Sequence, residues 1–387
     1  MSQPAARTRR PAWNRKNPYA AEVLESRRMS GEGSEKDVRH YRFAIGDSGL
    51  EYQVGDGLGV RPINDPALVD AIIEALGASG DVEIAGKDAD LRTVLSTQVE
   101  ISVPSTDLLE AMDGRTHDGE LEHVLATRDK QALEAWLWGR DVLDVLRMAP
   151  LGCLSPDEFV GLLGRLQHRT YSISSSPLSH PGEIHTIVST VRYRSAERDR
   201  GGVCSTYLAD RIETGDRVGV FILPNRSFRL PADDATPVIM VGPGTGVAPF
   251  RAFLHDRRGR GASGRNWLFF GEQHRASDYH YHEEFEEFLA DGTLDRLDLA
   301  FSRDQPPAEG VAKDYVQNHM LRHGADLYAW LEEGAQLYVC GDATRMAKDV
   351  DTALHRIVGE HGGLSDDAAE DYLSALRKDK RYLRDVY

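Results

Sequence analysis

The glycine-rich run Val241-Gly-Pro-Gly-Thr-Gly-Val-Ala-Pro-Phe250 gives the clearest indication of the fold in the second half of the chain. It directly follows an apolar strand pattern and opens a helical one. Gly244 and Gly246 allow a sharp turn and a close approach of the backbone to a ligand, and the N–H groups at the helix start favour a pyrophosphate. Gly244, Thr245 and Gly246 are therefore candidate dinucleotide contacts, although the glycines could instead only tighten the turn.

Strand and helix patterns alternate on both sides of this loop, which predicts an α/β domain with a mainly parallel sheet covered on both faces. Ligands of such sheets bind at the carboxyl ends of the strands. The predicted strands are 237–241, 266–271, 296–302 and 336–340, and the predicted helices lie near 247–257, 282–290, 315–323 and 343–361.

The chain before Pro231 has the two-residue period of strands instead. Tyr41, Phe43 and Ile45 lie on one face of a strand, and the run 50–54 after a turn predicts its hairpin partner. The further strand candidates are 57–61, 169–175, 184–193 and 216–222, and together they predict a small antiparallel β-barrel. The predicted boundaries are a flexible basic arm over 1–33, a barrel domain over 34–231 and the α/β domain over 232–387.

A helical insert over about 62–167 interrupts the barrel strands. Asp65 before Pro66 is an N-cap, an apolar stripe follows, and Gly77 ends the helix. Ser155 opens a second helix as a capping box, and a further helical stretch runs over 120–147. The fold class is therefore α+β followed by α/β.

Composition excludes several classes of function. With 46 basic and 62 acidic residues the formal net charge is −16, so a duplex nucleic acid would be repelled. Cys153, Cys204 and Cys340 are too far apart for a zinc cluster and odd in number for a disulfide framework, which favours a reducing, cytoplasmic location without a metal site. No apolar run is long enough to span a membrane.

Polar residues after the third predicted strand of the α/β domain suit a phosphate. Ser302 and Arg303 end that strand, and Lys313, Tyr315 and Gln317 follow. Two cations, two hydroxyls and an amide could converge on a 2′-phosphate, which favours NADP over NAD. The other interpretation of these residues is a solvated loop.

The barrel carries a second set of candidate ligand contacts. In the run Arg169-Thr-Tyr-Ser172 the guanidinium can bind a phosphate, the tyrosine ring can lie against a flat heterocycle, and the serine hydroxyl can bond a ring nitrogen. Gly202 to Ser205 precede a helical pattern and form a second site suited to a diphosphate. Two such sites indicate two dinucleotides, unless Arg169–Ser172 is only an amphipathic edge strand.

Taken together, these motifs resemble the ferredoxin–NADP reductase superfamily in its diflavin branch, most of all the FAD/NADP module of sulfite reductase flavoproteins. The resemblance runs from about Ser34 to Tyr387. Its segments are 34–40, 46–49, 169–172, 228–231, 242–250, 302–305, 338–342 and 384–387.

The resemblance implies an FAD-binding barrel and an NADP-binding α/β domain, and assigns residues to each cofactor. FAD would be held by Arg169, Thr170, Tyr171, Ser172, Ile187, Val188, Ser189, Tyr193, Gly202, Val203, Cys204 and Ser205, with Tyr387 stacked on the flavin. NADPH would contact Ser302, Arg303, Lys313, Tyr315, Gln317 and Asp349.

Three residues match the family positions that flank the hydride path, Ser172, Cys340 and Asp385. Cys340 is small and polarizable and could touch the nicotinamide without competing for hydride, whereas Asp385 could stabilise the positive charge that develops on the ring. The plainer alternatives are a buried apolar cysteine and a frayed terminal carboxylate.

The implied activity is electron transfer from NADPH through FAD to a one-electron acceptor. Members of the sulfite reductase branch carry an amino-terminal FMN domain, and 33 arm residues cannot encode one. The expected partner is therefore a separate haemoprotein, flavodoxin or ferredoxin. Two alternatives stay open: a dehydrogenase of a small organic substrate, and a non-catalytic FAD/NADPH-binding redox sensor or assembly subunit.

Overall fold

A computed structural model of the chain describes residues 13–116, 118–195, 197–304 and 313–387. The chain divides into two compact units. The first contains the described residues up to Gly59, Thr170–Ser189 and Glu213–Tyr387, and the second contains Val60–Arg169 and Thr190–Ile212. The domain boundary proposed at residue 231 stays a prediction.

The described residues form two larger sheets, a hairpin and the helices around them. The strands are β1 (Tyr19–Arg28), β2 (Val38–Ala44), β3 (Gly57–Val60), β4 (Arg169–Ser172), β5 (Glu183–Ser189), β6 (Arg192–Ser195), β7 (Arg198–Gly201), β8 (Arg217–Leu223), β9 (Val238–Val241), β10 (Asn266–Glu272), β11 (Arg296–Phe301), β12 (Gln336–Gly341) and β13 (Tyr382–Val386). The helices are α1 (Pro66–Ala75), α2 (Leu91–Thr97), α3 (Thr106–Thr116), α4 (Gly119–Thr127), α5 (Lys130–Leu137), α6 (Val142–Leu146), α7 (Pro156–Leu162), α8 (Val203–Arg211), α9 (Ala248–Arg260), α10 (Arg275–Asp278), α11 (His282–Ala290), α12 (Val316–Arg322), α13 (Gly324–Glu332), α14 (Met346–Gly362) and α15 (Asp366–Lys378), with a 3₁₀ helix at Gly244–Val247.

The antiparallel sheet has the strand order β4-β3-β8-β1-β2-β5. A bridge between Ile173 and Thr186 and the hydrogen bond from Ser174 N to His185 O, 2.8 Å, join its two ends. The sheet therefore closes on itself, and closure removes exposed strand edges. This confirms the predicted antiparallel barrel.

The prediction of a flexible arm over residues 1–33 is wrong for β1, and residues 1–12 lie outside the described residues. Strand β1 pairs with β2 on one side and with β8 on the other. Ala21 and Val23 are fully buried between these neighbours. Their burial depends on β8, which is remote in the sequence. The charged residues around them give no strand pattern of their own, so the sequence did not predict β1.

The prediction of a hairpin partner over residues 50–54 is also wrong, because these residues form no strand. Strand β2 pairs instead with β1 and β5. Tyr52 and Val54 are each 7% exposed, and the Tyr52 hydroxyl bonds Ser175 Oγ at 2.8 Å. The alternation in this run therefore reflects a loop that buries two side chains.

The parallel sheet has the order β11-β10-β9-β12-β13, and all four pairings are parallel. Leu268 and Phe270 pack in one apolar cluster and Trp267 and Phe269 in the other, so both faces of the sheet are covered, as predicted. The four predicted strands and four predicted helices are present, whereas α10, α13, α15 and β13 were missed.

The second unit holds α1 to α8 and the hairpin of β6 and β7. Asp65 caps α1 by accepting from Ala67 N, as expected. The helical stretch predicted over 120–147 is three helices, because Arg128 adopts a left-handed conformation at φ 53° and Asp129 and Asp141 cap new helices. None of the described helices combines the length and apolar character needed to cross a bilayer.

Candidate active site

The glycine loop lies between β9 and α9 and contains the 3₁₀ helix. Gly244 has φ +60°, a conformation that favours glycine. A Cβ on Gly246 would lie 2.2 Å from the main-chain oxygen of Cys340, so only glycine fits against the end of β12. The loop therefore exposes main chain at the carboxyl edge of the sheet, which fits a dinucleotide diphosphate.

A cavity of about 550 Å³ lies at the carboxyl ends of β9 to β12. Its wall includes Gly244 and every residue that the resemblance assigns to the 2′-phosphate and adenosine. These residues are Ser302, Arg303, Lys313, Tyr315, Gln317 and Asp349. The structure thus brings this predicted set together in one place, next to the glycine loop.

Sequence reasoning missed four charged residues in this cavity: Lys36, Glu272, Asp342 and Arg345. Lys36 Nζ lies 2.6 Å from Glu272 Oε1, and the Asp342 carboxylate accepts from the main-chain N–H of Arg345 at 2.7 Å. Lys36 precedes β2 in the sequence, and its side chain meets Glu272 of the parallel sheet only in the folded chain. Its position in the sequence therefore could not assign it to this cavity.

Strand β13 brings the predicted catalytic residues together. It pairs in parallel with β12 so that Asp385 is the register partner of Cys340, and the Cys340 Sγ lies 4.0 Å from Asp385 Oδ2. Ser172, at the end of β4, donates its hydroxyl to the same oxygen at 3.2 Å. The antiparallel and parallel sheets thus both contribute to one carboxylate.

Burial affects the protonation of both Asp385 and Cys340. It raises the pKa of Asp385, and the hydrogen bond from Ser172 opposes that shift. Burial also raises the pKa of the Cys340 thiol well above its ordinary value, and the charge of Asp385 adds to the effect. Cys340 therefore stays a thiol at neutral pH and is no nucleophile.

Asn225 is the residue of this group that sequence reasoning missed. Its side-chain amide donates to Asp385 Oδ1 at 3.2 Å, and its main-chain N–H donates to Asp56 Oδ1 at 2.9 Å. Asp56 in turn forms an ion pair with Arg229. The only sequence signal was a polar residue after β8, close to the Phe228–Pro231 motif.

The end of the described chain is anchored rather than loose. The main-chain N–H of Tyr387 donates to Gly341 O at 3.1 Å, and its carbonyl accepts from Ala343 N at 3.1 Å. The Tyr387 hydroxyl lies 3.2 Å from Thr245 Oγ1, while 64% of the residue stays exposed. The ring is therefore held beside the glycine loop and keeps a face that a ligand can reach.

The FAD residues predicted in the first unit fall into two groups. Thr170, Tyr171 and Ser172 are partly accessible on β4. Ile187 and Val188 on β5 are 3% and 1% exposed, and only Ser189 is less buried. Ile187 and Val188 can therefore reach a cofactor only through main-chain atoms.

Four of the FAD residues predicted in the second unit, Gly202, Val203, Cys204 and Ser205, lie at the start of α8. Gly202 begins this helix without a side-chain cap, and a Cβ there would lie 2.7 Å from Ser205 Oγ. Val203 and Cys204 are buried, so this turn offers main-chain N–H groups to a diphosphate. The Arg169 guanidinium donates to Gln167 O at 2.9 Å, and the ring of Tyr193 stacks on Trp138 at 6.4 Å.

Two family models match parts of this chain. A family model described as "FAD binding domain" matches residues 11–207. The chain belongs to this family. A second model, "Oxidoreductase NAD-binding domain", matches residues 240–352, which include the glycine loop and most of the cavity wall.

Curated relatives extend the likeness. Three are named "Sulfite reductase [NADPH] flavoprotein alpha-component": from Serratia proteamaculans (strain 568), 44% identical over 97% of this chain and 62% of the relative; from Bacillus subtilis (strain 168), 42% over 99% and 63%; and from Yersinia pestis, 45% over 96% and 60%. The chain thus spans less than two thirds of the length of these relatives. The comparisons confirm the family resemblance, the fold class and the two cofactor-binding domains.

Proposed function

We propose that this chain is an NADPH-dependent FAD flavoprotein reductase that passes electrons from NADPH through FAD to a separate one-electron acceptor. The observation that carries the proposal is the shared carboxylate of Asp385, which Ser172 of the antiparallel sheet and Cys340 of the parallel sheet both contact. A flavin site and a nicotinamide site that share one carboxylate are suited to electron exchange. The names of the relatives support NADPH as the donor.

FAD, when bound, supplies the chemistry that couples a two-electron donor to a one-electron acceptor. Asp385 places a negative charge where positive charge develops in the donor. Ser172 and Asn225 hold that carboxylate by hydrogen bonds to its two oxygens. Cys340 fills the space beside it with a neutral thiol, and Tyr387 shields the group from water.

The NADP residues have separate tasks in this proposal. Arg303 and Lys313 bind the 2′-phosphate with Ser302 and Tyr315. Asp349 accepts from the Gln317 amide at 3.3 Å and so orients it toward the adenosine. The Gly244–Gly246 loop receives the diphosphate.

We propose that FAD contacts the residues assigned to it from the sequence. They are Arg169, Thr170, Tyr171, Ser172, Ile187, Val188, Ser189, Tyr193, Gly202, Val203, Cys204, Ser205 and Tyr387. Arg169 supplies the charge for a phosphate, and Tyr171 and Tyr193 supply ring faces.

The acceptor is proposed to be a sulfite reductase-like haemoprotein, a flavodoxin or a ferredoxin. The net charge of −16 makes its docking sensitive to salt. We propose a cytoplasmic location, because the structure joins none of the cysteines in its described part by a disulfide bond.

Purification and a diaphorase assay test the function. The protein should be yellow, release FAD on denaturation and reduce ferricyanide with NADPH far faster than with NADH. A colourless protein that takes up no FAD would contradict the proposal. Binding of both cofactors without turnover would favour the redox sensor, and turnover of a small alcohol or acid would favour the dehydrogenase.

The acceptor is tested with the reduced protein. It is mixed in turn with a sulfite reductase haemoprotein, a flavodoxin and a ferredoxin, and the absorbance of each acceptor is followed. Reduction of one of them well above the others names the partner class, and reduction of none would contradict a separate acceptor of these three kinds.

A further inference from the structure

A short segment before β2 is fixed to helix α10, which follows β10 of the parallel sheet. The main-chain N–H of Gly31 donates to Ser277 O at 2.7 Å, and the Ser34 hydroxyl donates to Asp278 Oδ1 at 2.5 Å. These two contacts fix the main chain of the segment that leads into Glu35 and Lys36.

These two neighbours form ion pairs with opposite charges of the cavity wall. Lys36 pairs with Glu272, and Glu35 Oε2 accepts from Arg303 Nη1 at 2.5 Å. The main chain of Arg303 is itself held, because its N–H donates to Gln273 O at 2.9 Å. The Glu35 carboxylate is thus already paired with the Arg303 guanidinium, which the proposed function assigns to the 2′-phosphate.

A 2′-phosphate and Glu35 compete for this guanidinium. The phosphate carries about −1.5 to −2 charges near pH 7, and it must displace the Glu35 carboxylate or tolerate its repulsion. A 2′-hydroxyl is neutral and does neither. The presence of Glu35 therefore weakens the binding of 2′-phosphorylated nucleotides and does not repel their 2′-hydroxyl counterparts, whose hydroxyl can donate to a carboxylate.

We propose that Glu35 is a specificity-determining residue that limits how strongly the cavity prefers a 2′-phosphate. The proposal rests on the proposed function, since it assumes that Arg303 binds this phosphate. Its consequence is a shorter residence time of the oxidised product, because NADP⁺ carries the same 2′-phosphate as NADPH.

The expected effect is moderate. The side chains of Glu35 and Arg303 are 67% and 35% exposed, and ion pairs exposed to water contribute little. We expect Glu35→Gln to bind the probe adenosine 2′,5′-bisphosphate about two- to five-fold more tightly at low salt. The gain should shrink at high salt, where exposed charges are screened.

The test is isothermal titration of the FAD-loaded protein with adenosine 2′,5′-bisphosphate and with 5′-AMP. Glu35→Gln and Glu35→Ala should both bind the bisphosphate more tightly than wild type does, and neither should bind 5′-AMP more tightly. Glu32→Gln is the matched control, since it removes the same charge from an exposed position of the same segment. In an Arg303→Gln background the Glu35 substitutions should have no effect.

Equal bisphosphate affinity in wild type and both Glu35 variants would overturn the inference. Tighter bisphosphate binding by Glu35→Gln but not by Glu35→Ala would overturn the inference too, because the new amide could itself donate to the phosphate. A wild type that binds the bisphosphate no better than 5′-AMP, with no loss in Arg303→Gln, would instead refute the proposed 2′-phosphate site.

Discussion

The hydroxyl of Ser172 donates to Asp385 Oδ2 at 3.2 Å across 213 positions of sequence. Asn225 occupies the other carboxylate oxygen from a third segment. Asp385 therefore keeps a fixed orientation despite lying near the end of the described chain. A carboxylate held in this way can act on charge that develops next to it without first reorganising.

Replacement of Ser172 by alanine should slow electron transfer from NADPH. Loss of the hydrogen bond removes the contact that opposes the rise of the Asp385 pKa and lets the carboxylate turn. We expect kcat to fall by about ten- to a hundred-fold, with KM for NADPH changed by less than about three-fold.

Stopped-flow reduction of the bound flavin measures this effect, after FAD content has been matched. Ser172→Thr keeps a hydroxyl and should recover most of the rate. Ser374→Ala, on an exposed position of α15, is the control and should behave as wild type. An alanine variant at position 172 with an unchanged flavin reduction rate would contradict the role.

Replacement of Arg303 by glutamine should separate the two nicotinamide donors. The guanidinium can make charge-assisted bonds to a phosphate, which are about twice as strong as neutral ones. We expect KM for NADPH to rise about ten- to a hundred-fold and KM for NADH to change by less than about two-fold. Steady-state ferricyanide reduction measures both.

The control for Arg303 is Arg356→Gln. Arg356 is exposed on α14 and pairs with Glu360, so its loss changes the net charge equally and leaves the cavity intact. Equal effects on NADPH and NADH in Arg303→Gln would place the phosphate elsewhere.

Replacement of Gly246 by alanine should damage both the fold and the dinucleotide site. The new Cβ would lie 2.2 Å from Cys340 O, so the loop or β12 must shift. We expect a loss of about 1–3 kcal/mol in the free energy of unfolding together with weaker binding of adenosine 2′,5′-bisphosphate. Urea unfolding and titration calorimetry measure the two effects.

Gly114→Ala is the matched substitution. Gly114 lies within α3, and a Cβ there meets nothing within 4 Å. Alanine should stabilise this helix by up to about 1 kcal/mol. Equal behaviour of the two glycine variants would mean that the approach of the loop to β12 is unimportant.

Local patterns explain what the sequence could predict. Strands β9 to β12 and helices α9, α11, α12 and α14 are continuous apolar or amphipathic runs, so each could be recognised without knowing its neighbours. The same holds for Ser302 and Arg303 of the dinucleotide cavity, because they follow a strand whose carboxyl end lies at the edge where such sheets bind ligands.

Contacts between remote segments explain what the sequence could not show. Strand β1 has only short apolar runs between its charged residues, and its partner β8 lies about 200 positions later, as in the pair Tyr19 and Val220. Asn225 acts on a residue 160 positions away, and Glu35 pairs with Arg303 across 268 positions. No local period or motif marks such pairs.

A buried histidine cluster should make the protein sensitive to acid. Burial lowers the pKa of His180 to about 4 and of His185 to about 3, and the charge of Arg251 acts in the same direction. In the unfolded chain these groups bind protons below about pH 6.5. The unfolded state therefore takes up more protons between pH 6.5 and about 4, and stability falls as the pH is lowered through this window.

Chemical unfolding at a series of pH values tests this linkage. His180→Gln should make the fall in stability between pH 6.5 and pH 4 less steep. His282→Gln, at an exposed position of α11, should leave it unchanged. If the slope in His180→Gln equals that of wild type, His180 is not the source of the acid sensitivity.

Asn225 offers the sharpest test of how the Asp385 carboxylate is controlled. Asn225→Asp replaces a hydrogen-bond donor, 3.2 Å from Asp385 Oδ1, by a second carboxylate. Two carboxylates this close cannot both ionise easily, so their apparent pKa values move apart and the upper one rises.

If ionised Asp385 assists the reaction, the acidic limb of the pH profile of kcat should move to higher pH by about one unit or more in Asn225→Asp. Activity lost at neutral pH should return as the pH is raised. Asn225→Leu removes the hydrogen-bond donor without adding a charge. It should lower kcat and shift the acidic limb of the pH profile less than Asn225→Asp does. A purely structural role would lower kcat equally at every pH, and that outcome would rule out control of the Asp385 charge by Asn225.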